Sequence, residues 1–308
     1  MVDIIARRKL FFTIPLVVLV VTIICAAVFG VELDINFRGG SLVVYSFNGE
    51  VVDKALIEST LSEALGQPAS VQEQRDVVSG SMNYVATLSS KEGITPEKQQ
   101  ELTNALTEKF PQNQVAVVST NNVDPAIGRD FFVKSMFAVI VAAILMILYI
   151  ALRFRKMGGW SAGVFAVIAL LHDVMYVFAT FVLFRFPISD SFIAVALTIL
   201  GYSINATIVI YDRVRENKRV IGNKHTNDEI VNISVNQTLA RSINTTISTA
   251  LAMGTVCVVA KLYHVDSIVR FAFPMLIGIL AGAYSSVCIA GPLWAWWQNR
   301  KAAQKKQA

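Results

Sequence analysis

The residues of this sequence that could do chemistry are polar or charged side chains inside long apolar segments. His172 and Asp173 lie side by side at the middle of one such segment, 160–184. Ionisable groups are costly in the hydrocarbon core of a membrane, so they are candidates for ion or proton handling. Adjacent helix residues point about 100° apart and do not face each other, so we expect the two side chains to contact different partners in the bundle. The pair is open to two interpretations, helix packing and function.

A second group of polar side chains follows the next apolar segment, 188–211, and continues past its end. These positions recur at intervals of three and four residues, which places them on one face of a helix. In order they are Thr198, Tyr202, Asn205, Val209, Asp212 and Glu216. Gly201 and Ala206 lie beside this face and would let another helix approach closely.

The fifth apolar segment begins with a similar polar face, formed by Gln237, Arg241, Asn244, Ser248 and the neighbouring threonines. An arginine at the membrane edge can simply extend to the interface, but the density of Ser, Thr and Asn favours a hydrated or helix-facing surface. We predict that the third, fourth and fifth segments turn these sides toward one interior, a polar seam that carries ions. Its candidate members are His172, Asp173, Tyr202, Asn205, Ala206, Asp212, Arg241, Asn244 and Thr245.

The last apolar segment carries small residues at regular intervals of four. They are Gly278, Gly282, Ser286 and Ala290, and such a ridge is typical of tightly packed membrane helices. We interpret it as stabilising the bundle. The sequence contains no nucleophile–base pair and no set of metal ligands at characteristic spacing, so we predict no catalytic residues, no metal site and no enzymatic activity.

The composition indicates a membrane protein. Of the 308 residues, 54% are hydrophobic and only 16% are charged, whereas soluble domains are about one quarter charged. Six apolar runs approach the roughly 20 residues that cross a bilayer: 10–30, 131–152, 160–184, 188–211, 243–262 and 268–297. The first is long for a signal peptide; we expect an uncleaved anchor, with cleavage near Cys25-Ala26-Ala27 as the alternative.

The distribution of Lys and Arg predicts the orientation of the spans. Outside residues 31–130, most Lys and Arg residues lie in segments on the same side of the membrane as the N-terminus. The short loops on the opposite side hold only Arg185, Lys261 and Arg270. Since cytoplasmic loops are enriched in Lys and Arg, both termini are expected in the cytoplasm. The net charge of +5 follows this topology and does not indicate nucleic-acid binding.

Residues 31–130 have the composition of a soluble domain and are expected outside the cytoplasm. Their pattern predicts strands at 41–47, 69–75, 82–89 and 114–120 and helices at 51–65 and 95–110, the second started by Thr95 and Pro96. This βαββαβ order is the ferredoxin-like arrangement. The domain contains no catalytic constellation, so docking or a hinged lever is its expected role.

The predicted fold class is therefore an all-α membrane bundle of six transmembrane helices with an extracytoplasmic α+β domain between the first two. The predicted parts are a cytoplasmic tail and first helix (1–30), the ferredoxin-like domain (31–130), helices two to six with a cytoplasmic loop at about 212–242 (131–297), and a basic cytoplasmic tail (298–308).

Five short stretches resemble motifs of a known family: 33–40, 123–128, 199–205, 211–217 and 236–245. They are similar to motifs of SecF, the smaller membrane subunit of the bacterial SecD–SecF complex in the resistance-nodulation-division (RND) superfamily. The likeness covers nearly the whole chain. The residues that carry it are Asp34, Phe37, Gly39, Gly40, Pro125, Gly128, Gly201, Arg213, Glu216, Asn217 and Gln237.

The resemblance implies a function in protein export across the bacterial cytoplasmic membrane. The implied partners are a SecD-like subunit in a heterodimer, the SecYEG translocon, the SecA motor, YajC, YidC, unfolded preprotein and membrane lipid, but no nucleic acid. No cofactor is implied, because the proton or sodium gradient supplies the energy. Arg241 matches the functional arginine of the family by its position in the motif.

One position departs from the family pattern. Relatives usually carry an acid directly after the asparagine of the fourth-span motif, where this chain has Ala206, which cannot titrate. Coupling could instead use Asp173, Asp212 or an acid of the partner. The alternatives are one half of an RND-type exporter of small molecules or lipids, and a non-transporting translocon scaffold.

Overall fold

The computed structural model describes residues 3–48, 51–75, 82–88, 94–222 and 224–307. Ser89, at the end of a predicted strand, lies outside this part, as do the side chains of Pro125, Lys156, Lys305 and Lys306. Six helical segments are long and apolar enough to cross a membrane, as predicted. They are α1 (Arg8–Phe29), α5 (Pro125–Arg153), α6 (Gly159–Leu183), α7 (Asp190–Ile221), α8 (Asn227–Leu262), and a last span of α9 (Asp266–Ser285), a π-helical turn (Ser286–Ala290) and α10 (Gly291–Gln307).

The segment 212–242 was predicted as a cytoplasmic loop between two spans, and in the structure most of it is helical. Helix α7 continues to Ile221 and α8 already begins at Asn227. A capping box starts α8, because Thr226 accepts from the Glu229 amide at 3.3 Å and Glu229 accepts from the Thr226 amide at 2.9 Å. Polar helix extensions lack the apolar run on which the span prediction relied.

The bundle is built around α6, which packs against α1, α5, α7 and α9. The core between these helices includes Leu170 of α6, Ile204 of α7 and Trp294 of α10. Helices α1, α5 and α8 leave most of their apolar side chains exposed. Apolar surface of this extent marks contact with lipid or with another chain.

Gly278 and Gly282 lie where the last span meets its neighbours. A Cβ atom added at Gly278 would lie 2.7 Å from the Ile199 side chain, and one at Gly282 would lie 3.0 Å from Ser203. Ser286 and Ala290, the other two positions of the ridge, are buried as well. Absence of a side chain at the two glycines therefore lets α9 approach α7 closely.

Residues between α1 and α5 form a small antiparallel sheet with two helices on one face. Its elements are α2 (Ile35–Arg38), β1 (Gly40–Phe47), α3 (Lys54–Leu65), β2 (Ala69–Arg75), β3 (Met82–Leu88), α4 (Pro96–Lys109) and β4 (Ala116–Val123). The strand order is β2-β3-β1-β4. The core of this domain joins Val43 and Leu88 of the sheet to Leu61 of α3 and Leu106 of α4.

The predicted succession of strands and longer helices is present, with shifted ends. Thr95 caps α4 by accepting from the Lys98 amide at 3.3 Å, and Pro96 is the first helical residue. Strand β4 runs to Val123 rather than ending at 120. The sequence analysis missed α2, a single turn capped by the Asp34 carboxylate at 3.0 Å from the Asn36 amide; four residues are too short for a periodic pattern.

Replacing Gly282 with leucine should destabilise the helix bundle, because the new side chain must displace Ser203 and, beyond it, Asp173. We expect a loss of about 2 kcal/mol or more in the free energy of unfolding, measured by SDS titration of the purified full chain. The control is Gly254→Leu on α8, where an added Cβ would meet nothing within 4 Å. Equal stability of the two variants would show that the close approach contributes little.

Candidate functional site

A carboxylate lies fully buried in the centre of the helix bundle. Asp173 on α6 has a relative exposure of 0%. Its Oδ2 atom accepts a hydrogen bond from the Ser203 hydroxyl of α7 at 2.5 Å and another from the Ser285 hydroxyl of α9 at 2.9 Å. A buried carboxylate is costly unless it is hydrogen-bonded, so this one side chain links three helices.

His172 contacts the same carboxylate, although adjacent helix residues were not expected to face each other. The His172 Nδ1 atom lies 2.8 Å from Asp173 Oδ1, because side-chain rotation overcomes the divergence of the two Cβ directions. The imidazole also stacks on Tyr284 of α9, with ring centroids 5.7 Å apart. Its Nε2 atom is buried and has no hydrogen-bond partner among the described residues.

The sequence analysis did not single out the two serines that hold Asp173. A usable signal was present, since Ser203, Thr207 and Tyr211 recur every four residues and form a second polar face of α7. Thr207 lies 3.0 Å from the Ser286 hydroxyl, and Tyr211 donates to the carbonyl of Ala290 at 3.3 Å. These partners belong to the π-helical turn, a distortion that is often found at functional sites.

The predicted polar seam divides into two separate groups, and Asp212 lies apart from both. His172 and Asp173 are buried between α6, α7 and α9, whereas Asn205 and Arg241 are exposed on the outer side of α7 and α8. The Tyr202 hydroxyl donates to Thr249 at 3.2 Å and so joins these two helices. We call the outer group the α7–α8 polar face; it comprises Tyr202, Asn205, Arg241, Asn244 and Thr245, with Gly201 and Ala206 beside them.

Asp212, also assigned to the seam, lies instead at the end where α5 and α6 are joined. It pairs with Arg153 of α5 at 3.2 Å and with Arg215 of its own helix at 2.9 Å. Both ion pairs are partly exposed and contribute little to stability. They connect the end of α7 to α5 and lie well beyond Ser203, the residue of α7 that contacts Asp173.

Four residues of the resemblance motifs form one hydrogen-bonded network between the extended ends of α7 and α8. Arg213 donates to Gln237 at 2.6 Å and to Glu216 at 2.6 Å. Asn217 donates to the same Gln237 oxygen and to Ser234, both at 2.8 Å. The network explains why these polar types recur at helical spacing: they hold two helices together outside the apolar region.

Two other motifs, far apart in sequence, meet where the sheet joins the bundle. Phe37 of α2 is buried, with its ring centroid 5.2 Å from that of Phe132 in α5. A Cβ at Gly128 would lie 3.0 Å from the Gly39 nitrogen, so only glycine permits this approach. Gly40, at φ +139°, would place a Cβ 2.7 Å from the Leu88 carbonyl.

The same junction contacts the loop between α6 and α7. The Asp34 amide donates to the Ile188 carbonyl at 3.0 Å, and the Ile188 amide donates to the Glu32 carbonyl at 2.8 Å. Glu32 also pairs with Arg185 of that loop. A second contact joins Gln74 of β2 to Val265, between α8 and α9, as an isolated bridge. The sheet is thus attached to both loops at this end of the bundle.

Across residues 3–48, 51–75, 82–88, 94–222 and 224–307, no group of three His, Cys, Asp or Glu could hold a metal ion. The Asp173 cluster combines a carboxyl group with an imidazole and two serine hydroxyls, and a carboxyl group can take up and release a proton.

Comparison with known proteins identifies the family. The family model described as protein export membrane protein SecD/SecF, C-terminal, matches residues 102–300. The protein translocase subunit SecF of Alicyclobacillus acidocaldarius is 35% identical over 97% of this chain and 93% of its own length. The SecDF of Bacillus subtilis is 31% identical over 97% of this chain but only 38% of its own length.

Two solved structures have the same fold. The crystal structure of SecDF from Thermus thermophilus matches with a TM-score of 0.79 and 28% identity, over 97% of this chain and 39% of that chain. SecDF in its super-membrane-facing form matches with a TM-score of 0.71 and 27% identity, over 99% of this chain and 40% of that one. The chain thus corresponds to about two fifths of SecDF. It is a multi-pass membrane protein that belongs to the SecF subunits of the SecD/SecF family.

Proposed function

We propose that this chain is an accessory subunit of the Sec protein translocase, which assists the export of polypeptides across the bacterial cytoplasmic membrane together with a SecD-like partner. The observation that carries this proposal is the α7–α8 polar face, which the chain leaves uncovered. The uncovered polar face calls for a partner, and in relatives named SecDF the corresponding unit is part of a longer chain. Both observations support a SecD-like partner.

The α7–α8 polar face is unsuited to contact with lipid. Arg241, Asn205 and Asn244 are exposed on segments that are otherwise apolar enough to span a bilayer. Polar and charged groups facing hydrocarbon are expensive, and they normally face a bundle interior or a hydrated cavity. A second set of membrane helices, supplied by the SecD-like subunit, would convert this outer face into an interior one.

The proton or sodium gradient is the proposed energy source, with Asp173 as the carboxylate that responds within this chain. Protonation would remove the negative charge that Ser203 and Ser285 now stabilise from two different helices. The strength of both hydrogen bonds would fall, because bonds to a charged acceptor are stronger than neutral ones. The packing of α7 and α9 against α6 would then depend on the protonation state of one side chain.

The sheet domain is the proposed moving part. Its strand order β2-β3-β1-β4 supports the ferredoxin-like assignment, and the distribution of Lys and Arg supports an extracytoplasmic position with both termini in the cytoplasm. Residues 32–34 are hydrogen-bonded to Ile188, directly between α6 and α7. A shift between those helices would therefore be transmitted to the domain, which would act on the polypeptide that emerges from SecYEG.

SecYEG, the SecA motor, YajC, YidC and unfolded preprotein are proposed as the further partners of this role. The RND exporter of small molecules or lipids is not favoured, since the relatives reported above are named protein translocase subunits. The scaffold alternative is favoured by one observation: Ala206, beside Asn205, cannot bind a proton. In that case the chain would stabilise the SecD-like subunit and the translocon without responding to a gradient.

Replacing Arg241 with alanine should impair secretion in cells that depend on this chain, because the substitution removes a positive charge from the face proposed to contact the partner. We expect export of a reporter preprotein to fall at least fivefold at normal membrane levels of the variant, measured by pulse-chase. The matched control is Arg219→Ala, which removes an exposed arginine of α7 outside this face. Normal export with Arg241→Ala would remove Arg241 from the site.

Export into inverted membrane vesicles, with and without a proton gradient, should separate the coupled role from the scaffold role. Asp173→Asn keeps acceptors for Ser203 and Ser285 but cannot take up a proton, so we expect it to abolish most of the stimulation by the gradient. Asp190→Asn, at the exposed start of α7, should leave it unchanged. Ala206→Asp should increase it.

The coupled role and the scaffold role predict different results in this experiment. If wild type, Asp173→Asn and Ala206→Asp all support export to the same extent whether or not the gradient is present, the scaffold interpretation holds. Co-purification of a SecD-like subunit with each variant checks that complex formation is intact.

A further inference from the structure

A groove of about 870 Å³ opens on the outside of the bundle, where α5, the 3-10 turn Arg155–Met157, α6 and α10 meet. Its lining changes along its length. Leu148 and Leu152 of α5 and Val164 of α6 form an apolar part. Arg155 and Lys301 lie toward the other end, where α5 ends and α6 begins. The volume falls in the range of about 300–1,000 Å³ that is usual for small-molecule sites.

The walls of the groove are held in place by direct contacts. A Cβ at Gly159 would lie 2.1 Å from the Ala151 carbonyl oxygen, so α5 and α6 meet backbone to backbone. Gln298 of α10 donates to the carbonyl of Met157 at 3.3 Å and to the Ser161 hydroxyl at 3.0 Å. The groove is therefore formed before any ligand enters it.

Its position suits the boundary between the membrane and the cytoplasm. Trp160 and Trp297 line the groove and are 67% and 43% exposed; tryptophan is enriched at the level of lipid headgroups. The end that carries Arg155 and Lys301 is the cytoplasmic one according to the positive-inside rule. No lining residue belongs to α7 or α8, so the groove is separate from the face assigned to the partner.

The charge of the groove is one-sided. Among the described residues that line it, Arg155 and Lys301 are cations, Ser161 and Gln298 are polar, and none is Asp or Glu. Basic pockets between membrane helices on the cytoplasmic side are suited to anionic headgroups. The apolar part beyond the cations extends in the direction of the bilayer core, as an acyl chain would.

We propose that this groove is a binding site for an anionic phospholipid. The headgroup phosphate is held by Arg155 and Lys301, with the Ser161 hydroxyl within the same polar end. One acyl chain lies along Leu148, Leu152 and Val164, and the two tryptophans flank the glycerol level. The site requires only the membrane orientation of the chain, and it does not depend on the role in export.

Native mass spectrometry of the purified full chain tests the site. Phosphatidylglycerol and phosphatidylcholine with identical acyl chains are titrated separately, and the fraction of protein with one bound lipid is measured. Since a cation near an anionic headgroup contributes measurably to lipid binding, we expect wild type to bind phosphatidylglycerol roughly tenfold more tightly. The double variant Arg155→Gln/Lys301→Gln should lose this preference.

The matched control is Lys224→Gln/Arg300→Gln, which removes the same two charge types from exposed positions outside the groove. It should keep the preference for phosphatidylglycerol. Val164→Trp keeps both cations but fills the apolar part of the groove. It should weaken binding of the first molecule of either lipid. All five positions are partly or fully exposed, and gel filtration checks that each variant is folded.

Three results would overturn the proposal. Equal binding of the two lipids by wild type would mean that the groove takes lipid without regard to charge. Equal losses in the two double variants would mean that net charge, not the groove, attracts the headgroup. Loss of a co-purifying SecD-like subunit in Arg155→Gln/Lys301→Gln, with lipid binding unchanged, would make the groove a protein interface.

Discussion

The buried carboxylate of Asp173 is the group on which the arrangement of the helices depends. A carboxyl group buried in an apolar bundle needs hydrogen-bond partners, and the described partner on α6 itself is the neighbouring imidazole. The remaining donors come from α7 and α9, whose backbones must lie close enough for two short serine side chains to reach. Gly282 permits that approach, because even a methyl group there would press on Ser203. Chemistry and packing at this point are therefore inseparable.

The polar residues of the spans fall into two classes by the way their requirements are met. Those around Asp173 are satisfied inside the chain, by hydroxyl groups on adjacent helices. On the α7–α8 polar face, the Tyr202 hydroxyl bonds to Thr249 of the neighbouring helix, whereas Asn205, Arg241 and Asn244 are exposed. This division explains how a single chain can have a stable bundle and still be an incomplete unit. It also agrees with relatives in which the corresponding chain is about two and a half times as long.

How much could be predicted from the sequence depended on the physical scale of each feature. Long apolar runs located all six spans, and the capping pair Thr95 and Pro96 located α4, because these signals are local. The polar ends of α7 and α8 were taken for a loop, since helix formation there relies on contacts such as Asn217 with Ser234. The seam was assigned correctly as polar but wrongly as one group, because periodicity gives a face and not the neighbour opposite. The four-residue repeat of Ser203, Thr207 and Tyr211 was visible in the sequence, but the contacts of Ser203 and Ser285 with Asp173 join different helices, and spacing along one helix does not give them.

The contacts between the sheet domain and the helix bundle determine what effect a change at Asp173 could have on the domain. The 32–34 segment is hydrogen-bonded to Ile188, and Phe37 is held against α5 with no room for a side chain at Gly128. The sheet domain is consequently fixed to three helices by short, backbone-level contacts rather than by a flexible linker. In the proposed role, a small rearrangement of α6 against α7 would reach the domain through these contacts and tilt it. The lipid groove lies at the other end of α6, beside α5, where an occupied site would hold those two helices in register against the membrane surface.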